Sequence, residues 1–315
     1  MDLTVVVPVF NEEESLPELV EWIESVAARE KYEYEIILVD DGSRDGSWQV
    51  IRELSAKFAT IRGVRFQRNY GKAAALQCGF GMAQGEVVVT MDADLQDSPE
   101  EIPGLLQMIT KDGFDLVSGW KKKRRDPLGK RLPSKFFNRV ARINSGIRLH
   151  DFNCGLKAYR NEVVKSIEVF GDMHRYTPIL AKRAGFGRIG EKTVHHRERK
   201  YGKTKYGWER LFTGALDLLT VSFITRFSKK PMHFFGSLGM LMMFFGFAVT
   251  VWLAADKIHS IRTHEVYRQI TDQPMFYLAL LAVIIGVQLF LTGFLAELVS
   301  RSSADRNKYL ISEEI

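Results

Sequence analysis

The sequence predicts an α/β domain with a mostly parallel sheet over residues 1–205. An amphipathic segment follows at 206–230, then a two-helix transmembrane hairpin at 231–298 and a tail at 299–315. Three observations predict this. Apolar, β-branched runs alternate with helical patterning through the first part. Two of those runs close on carboxylates, Asp40-Asp41 and Asp92-Ala93-Asp94. Beyond them lie two apolar stretches, Met232 to Ala255 and Met275 to Ala296, in which His233 is the one ionisable side chain apart from the ordinary aromatics. A bilayer core needs about 20 residues of helix, and each stretch supplies that length.

Taken in order, Leu3 to Val9 is a nearly continuous apolar run, the pattern of a parallel strand buried on both faces. Helical spacing follows from Glu12 to about Ala28, and a second strand, Glu35 to Val39, ends at Asp40. Asp40-Asp41-Gly42-Ser43 carries turn and capping chemistry ahead of a helix near Ser47 to Phe58. A short strand is expected at Val64 to Gln67, a helix at Gly71 to Ala83, and a further strand at Glu86 to Met91. That last strand runs directly into Asp92-Ala93-Asp94, which places two carboxylates just past its C-terminal end, the edge at which open α/β sheets bind ligands.

If the chain stays extended there, Asp92 and Asp94 point the same way. Together with Gln96 they suit a hard divalent cation that also takes phosphate oxygens, a metal–diphosphate clamp. Asp40 and Asp41 stand at a strand end as well. They either accept hydrogen bonds from a base or ribose or serve as a turn and helix cap. The histidines, among them His150, His174, His195 and His196, show no metal-ligand spacing.

Composition bounds the partners. The formal charge is +6, which reads as contact with anionic lipid and phosphate rather than with nucleic acid. The two cysteines, Cys78 and Cys154, read as reduced packing residues. Arg226, Lys229 and Lys230 precede the first span and Arg301, Arg306 and Lys308 follow the second, while the connecting segment mixes both signs. By the positive-inside rule both termini, and with them the α/β domain, are expected in the cytoplasm, and nothing at the N-terminus resembles a signal peptide. Between domain and span, Trp208, Leu211, Phe212, Leu216, Leu219, Phe223 and Phe227 recur near helical spacing. They suit an amphipathic helix lying in the bilayer interface or one packed on the domain. Gly236, Gly239 and Gly246 offer a contact for a homo-oligomer, beside the plain reading of ordinary glycine content in a membrane helix.

The runs Val5-Val6-Val7-Pro8-Val9-Phe10-Asn11-Glu12, Val39-Asp40-Asp41-Gly42-Ser43 and Met91-Asp92-Ala93-Asp94-Leu95-Gln96 occur in that order. They resemble the family 2 inverting glycosyltransferases, whose GT-A fold is Rossmann-like. Asn69-Tyr70-Gly71-Lys72, Asp151-Phe152-Asn153-Cys154-Gly155 and Arg199-Lys200-Tyr201-Gly202-Lys203-Thr204-Lys205 are similar to the subgroup that holds dolichol-phosphate mannose synthases and bacterial polyprenyl-phosphate glucosyltransferases.

The resemblance implies that Pro8, Phe10, Glu12, Asp40, Asp41, Lys72, Asp92, Ala93 and Lys205 bind a nucleotide sugar. It also implies that Asp92, Asp94 and Gln96 hold Mg2+ or Mn2+ against the diphosphate. Family members often carry Tyr where Phe10 stands, so stacking is kept and a hydroxyl contact is lost. Asp94, Asp151 and Arg199 are the residues the resemblance places at the chemistry, and Arg131, from the basic run described below, is expected to join them. The expected reaction is inverting transfer of one sugar, glucose from UDP-glucose first among the donors, to a polyprenyl (undecaprenyl) phosphate in the inner membrane.

Physical chemistry agrees. A monoester phosphate has a second pKa near 6 and attacks as the dianion without a general base. The demand is then for positive charge, which Lys121 to Arg125 with Lys130, Arg131 and Arg139 can supply, although a charge run is also an ordinary solvated or lipid-facing surface. GDP-mannose or another donor with the same lipid acceptor remains an alternative. So does a processive polysaccharide synthase, disfavoured by the missing Gln-x-x-Arg-Trp motif, and so does a non-catalytic nucleotide-binding membrane scaffold.

Overall fold

The computed structural model describes residues 1–122, 138, 141–142, 145–171, 173–197, 200, 231–264, 268–302 and 311–314. The chain forms two compact units, Met1–Ser222 with Arg306–Ile315, and Phe223–Asp305. The expected amphipathic segment at 206–230 lies outside the described residues.

In the first unit the order is β1 (Leu3–Val9), α1 (Leu16–Glu30), β2 (Tyr34–Asp40), α2 (Ser47–Lys57), β3 (Ile61–Phe66), α3 (Lys72–Met82), β4 (Val87–Thr90), α4 (Ile102–Thr110) and β5 (Leu116–Trp120). It continues with β6 (Lys157–Arg160), α5 (Asn161–Ser166), α6 (Thr177–Arg183), β7 (Ile189–Thr193) and β8 (Ile311–Glu314). The eight strands form one sheet in the order β7-β5-β6-β4-β1-β2-β3-β8. β1 pairs in parallel with β2 on one side and β4 on the other. β6 is antiparallel to both β4 and β5, which makes the sheet mixed. Because β2 and β3 lie to one side of β1 and β4 to the other, strand order reverses at β1. The crevice beyond the C-terminal ends of β1 and β4 is therefore the place where such a sheet takes a ligand.

Central strands follow the apolar runs: Leu3, Val5, Val6, Val7, Ile36, Ile37, Leu38, Val87, Val88 and Val89 are all inaccessible to solvent. Three boundaries differ from the sequence reading. α1 begins at Leu16, with Pro17 in its first turn, because residues 12–14 are held by the neighbouring loop. In that lacing Glu12 N–H donates to Ser47 Oγ at 2.9 Å and Gly46 N–H to Glu13 Oε2 at 2.6 Å. β3 begins at Ile61, earlier than the Val64 start read from sequence, because Arg62 and Arg65 interrupt the apolar run. Both arginines face β2 carboxylates, Arg62 Nη1 standing 3.2 Å from Glu35 and Arg65 Nε 3.5 Å from Asp40. Lastly, the expected tail returns to the sheet, where β8 lies antiparallel on β3 with Glu314 opposite Val64.

The second unit contains α7 (Pro231–Arg262) and α8 (Pro274–Ser302). Met232–Arg262 and Pro274–Ala296 are long and apolar enough to cross a membrane. Their outward side chains, such as Phe244 at 75% and Leu241 at 65% exposure, are apolar, as lipid contact requires and a soluble core does not.

The glycines pack within the hairpin. A Cβ on Gly239 would lie 2.6 Å from the Gly286 carbonyl oxygen, one on Gly286 would lie 2.7 Å from that of Gly239, and one on Gly246 would lie 2.5 Å from that of Ala279. Gly239 and Gly246 thus line the seam inside the hairpin, where small residues let two backbones approach. Gly236 belongs to the same seam, its backbone nitrogen standing 3.3 Å from where a Cβ on Gly293 would sit.

Candidate active site

Three loops meet at the C-terminal edge of the sheet. The first follows β1, where Pro8 and Phe10 are half-buried and Asn11 takes a left-handed backbone with φ 53°. That conformation is uncommon outside glycine but accessible to asparagine. It is held by the second loop, since Asn11 N–H donates to Ser43 Oγ at 2.9 Å and Arg44 N–H to Asn11 Oδ1 at 2.8 Å. Glu12 Oε2 accepts from Ser15 Oγ at 3.0 Å.

The paired aspartates after β2 separate in role. Asp40 is fully buried; Oδ1 accepts Ser43 N–H at 3.0 Å, while Oδ2 has no hydrogen-bond donor among the described residues and faces Arg65. Burial raises its pKa, against the Ser43 hydrogen bonds and the Arg65 charge that lower it. Asp41, also buried, accepts Tyr70 N–H at 2.6 Å and Gly71 N–H at 2.9 Å. Its pKa is pushed up to about 6, by burial first, with those two hydrogen bonds pulling the other way. Both carboxylate oxygens of Asp41 are thus engaged by backbone, and they fix the chain at Gly71, whose φ of 96° a side chain would strain. Lys72 follows at once as the first residue of α3 and reaches across to Asp92 Oδ1.

Beyond β4 the chain does not stay extended. It turns over Ala93 and Asp94, and Leu95 takes φ 60°. Two-residue alternation therefore does not govern where Asp92 and Asp94 point, which corrects the sequence reading. Ala93 is buried under the turn, and Asp94 Oδ1 accepts Gln96 N–H at 3.2 Å. The Gln96 amide nitrogen donates to the Arg197 carbonyl at 3.4 Å, Arg197 N–H returns a bond to the Gln96 carbonyl at 2.9 Å, and Asp97 bridges to His196. The 195–197 strap is thereby zipped to the carboxylate loop. Arg197 lies 4.0 Å over the Trp22 ring.

Asp92 is one-third exposed. Burial pushes its carboxyl up, but the Lys72 charge and hydrogen bond, with Lys121 and His174 behind them, outweigh that and hold it well below the usual carboxylate range. Among the described residues no three His, Cys, Asp or Glu side chains cluster as a complete metal site. The donor set still fits Mg2+ or Mn2+, which bind through one or two carboxylates and take their other oxygens from phosphate and water.

Asp151 is 2% exposed. Glu191 on β7 accepts its N–H at 3.0 Å and that of His150 at 2.8 Å, Ser118 Oγ donates to its carbonyl at 3.2 Å, and its own Oδ1 accepts Asn153 N–H at 3.0 Å. His150 also stacks on Trp120, with centroids 4.2 Å apart. Asp151 thus stands in the wall below the β5 end. Arg131, Arg199 and Lys205 lie outside the described residues, as do Lys123 to Arg125, Lys130 and Arg139. Lys200 is described, and it pairs with Glu18 at 2.6 Å.

Sequence reasoning grouped Lys121 with a phosphate-binding or solvated cationic run, whereas the structure buries it in a charged layer beneath the edge. Lys121 Nζ stands 2.7 Å from Asp97 Oδ1, with the carboxylate at 0% and the lysine at 13% exposure. Lys157 is buried with its ammonium on the Cys154 carbonyl, and burial brings its pKa down to about 8. His174 is lowered well below its ordinary value, burial again leading. A third aspartate in the Asp92 to Asp97 run was the one available signal, because buried lysines have none. The cysteines match their reading: both are free thiols, and burial raises Cys154 to about 12 and Cys78 to about 11.

Known proteins resemble this chain in sequence and in fold. Residues 4–168 match the glycosyl transferase family 2 profile. A dodecaprenyl-phosphate galacturonate synthase of Rhizobium johnstonii is 37% identical over 96% of this chain and 88% of its own length. An undecaprenyl-phosphate 4-deoxy-4-formamido-L-arabinose transferase of Pseudomonas fluorescens is 40% identical over 79% of this chain and 72% of its own. The UDP complex of glucosyl-3-phosphoglycerate synthase from Mycobacterium tuberculosis superposes with a TM-score of 0.54 at 20% identity, over 71% of this chain and 79% of that one, a likeness of fold. The mixed, mostly parallel sheet is thus GT-A-like, and the chain, a glycosyltransferase, belongs to glycosyl transferase family 2.

Proposed function

We propose that the protein transfers one sugar, with inversion, from a nucleotide sugar to the phosphate of a polyprenyl phosphate. The observation that carries this reading is the 96% of the chain, apolar helices included, aligned with a dodecaprenyl-phosphate galacturonate synthase. Pro8, Phe10, Glu12 and Asp40 line the nucleotide pocket, where Asp40, buried against Arg65 and Ser43, shapes the loop that would meet the base or ribose. Asp41 acts one step back, holding Gly71 so that Lys72 stands beside Asp92. Asp92 and Asp94, with Gln96 between loop and strap, would hold Mg2+ or Mn2+ together with the diphosphate. Such an ion supplies positive charge that stabilises the departing nucleoside diphosphate. Lys72, Arg199 and Lys205 add cationic groups to the diphosphate, and Arg131 adds one to the acceptor phosphate. That acceptor attacks as its dianion, so Asp151 is not needed as a base. The hairpin would anchor the enzyme in the membrane that carries the lipid, with the glycosyltransferase unit and both termini on the cytoplasmic side of the inner membrane.

For the sugar, the family resemblance favours UDP-glucose, whereas the curated relatives are named for galacturonate and 4-deoxy-4-formamido-L-arabinose. We rank a carboxyl- or formamido-bearing sugar ahead of glucose, because those relatives align over most of the chain. The test is transfer of radiolabel from a panel of all these nucleotide sugars to undecaprenyl phosphate in detergent with Mg2+ or Mn2+, alongside Asp94→Ala. Lipid-extractable label from one donor, lost in the variant, is the expected result. Nucleotide binding without transfer from any donor would favour the scaffold reading.

Asp41 gives the reading a pH dependence. Above about pH 6 its carboxylate is charged and holds both N–H groups; below that it protonates, one oxygen becomes a donor, and the hold on Gly71 and Lys72 loosens. Donor affinity is therefore expected to weaken as pH falls from about 7 to about 5, by up to roughly tenfold. Titration calorimetry with the nucleotide sugar reads this apart from the acceptor's own ionisation. Asp41→Asn should bind weakly at every pH with no such limb, and a wild-type acid limb in that variant would reject the assignment.

A further inference from the structure

Asp92 rests on a backbone seat. Antiparallel pairing of β4 with β6 puts Thr90 opposite Lys157, and the same register carried outward sets Asp92 across from Gly155. A Cβ built on Gly155 would lie 2.6 Å from Asp92 Oδ2, 2.7 Å from Cγ and 2.8 Å from Oδ1. The whole carboxylate therefore lies over the Gly155 Cα. Gly155 is not among the glycines with positive φ, so its backbone conformation is open to any residue. The three nearest atoms that a side chain would meet all belong to one carboxylate. The first obstacle to a side chain here is the Asp92 carboxylate.

The peptides on either side of that glycine are pinned. Thr90 Oγ1 donates to the Gly155 carbonyl at 2.8 Å, and the Lys157 ammonium donates to the Cys154 carbonyl. Lys72 holds the carboxylate from its other side.

We propose that Gly155 is a positioning residue for the reaction: with Thr90 and Lys157 it forms a rigid seat that sets the Asp92 carboxylate where the metal-bound diphosphate of a nucleotide sugar needs it. The proposal rests on the reading of Asp92 as a ligand of that metal. It explains why the glycine of the Asp151 to Gly155 run stands far from Asp92 in sequence and against it in space. A methyl group at Gly155 must push the carboxylate away by about 1 Å. A displacement of that size at a reacting centre costs about 10^2-fold in rate, while the fold only has to move the end of one side chain that is one-third exposed.

The experiment is a Mn2+ titration of UDP and GDP binding to the full-length protein in detergent, for wild type, Gly155→Ala, Thr90→Val and Asp92→Asn, with a melting curve for each. For Gly155→Ala the expected result is a Mn2+ requirement raised about tenfold or more, with metal-free nucleotide affinity and melting temperature unchanged. Thr90→Val releases the Gly155 carbonyl without adding an atom, and it should move the Mn2+ requirement the same way by roughly threefold, which keeps the test decisive if the glycine variant fails to fold. A wild-type Mn2+ requirement in either folded seat variant, alongside a raised one in Asp92→Asn, overturns the seat and leaves the metal reading standing. A wild-type requirement in Asp92→Asn overturns the metal reading, and the seat with it.

Discussion

Asp92→Asn is expected to lower sugar transfer by about 10^3-fold, roughly 4 kcal/mol of transition-state stabilisation. The substitution keeps the shape on Gly155 and removes the charge, so it separates electrostatics from packing. Lys72 keeps Asp92 well below the ordinary carboxylate range, and the wild-type side chain is therefore ionised throughout any working pH. An acid rescue or an acid loss of activity would not trace to it. Removing the charge takes one anionic partner from Lys72, and under the proposed metal reading it leaves Asp94 to supply carboxylate charge from the loop. Initial rates at saturating donor, repeated across a Mg2+ and Mn2+ series, measure the effect. Activity within about tenfold of wild type would place the diphosphate elsewhere on the sheet edge.

The second large effect is on stability. Lys121→Met takes the counter-charge from Asp97, whose carboxylate has no access to water. Breaking a buried pair by removing one partner costs about 3–5 kcal/mol, because the remaining charge is buried without compensation. For a unit of this size the melting temperature should fall by about 10 °C. Burial works against the lysine's charge, but Asp97 overcomes it and raises the Lys121 pKa, so the lysine is charged in the wild type. The double variant Lys121→Met/Asp97→Asn should recover much of the loss, and the coupling in that cycle isolates the pair from the packing change. A single variant that melts with the wild type would mean that the strap carrying His196 supplies a second counter-charge.

Local patterns carried most of what could be read from the chain. β1 and β4 are apolar runs that end in Asn11 and Asp92, and both the strand and the functional end of the strand are written in consecutive letters. The hairpin was equally plain, since about 20 uncharged residues have few other homes. What was not legible depends on residues brought together from far apart. Lys157 and Lys121 are lysines, a type expected at the surface, and their burial is decided by β6 inserting antiparallel between β4 and β5. Gly155 carries no local signal for its role, because what it accommodates is across the sheet. The extended reading of Asp92 to Asp94 failed because Leu95 adopts a left-handed backbone that its side chain gives no reason to expect. Asp41 looked like its neighbour Asp40 by sequence, and the loop before α3 separated them.

The pairing of β8 on β3 bears on how the protein is made. Ile311 to Glu314 leave the ribosome only after both apolar helices have been synthesised, whereas β3 is complete long before. During biogenesis the glycosyltransferase unit must therefore wait with the outer edge of β3 open while the hairpin enters the bilayer. An open edge recruits strands from other chains. Chains stalled or cut within residues 303–310 keep that edge, so newly made protein held up at membrane insertion should aggregate through β3, and an added peptide of the β8 sequence should suppress it.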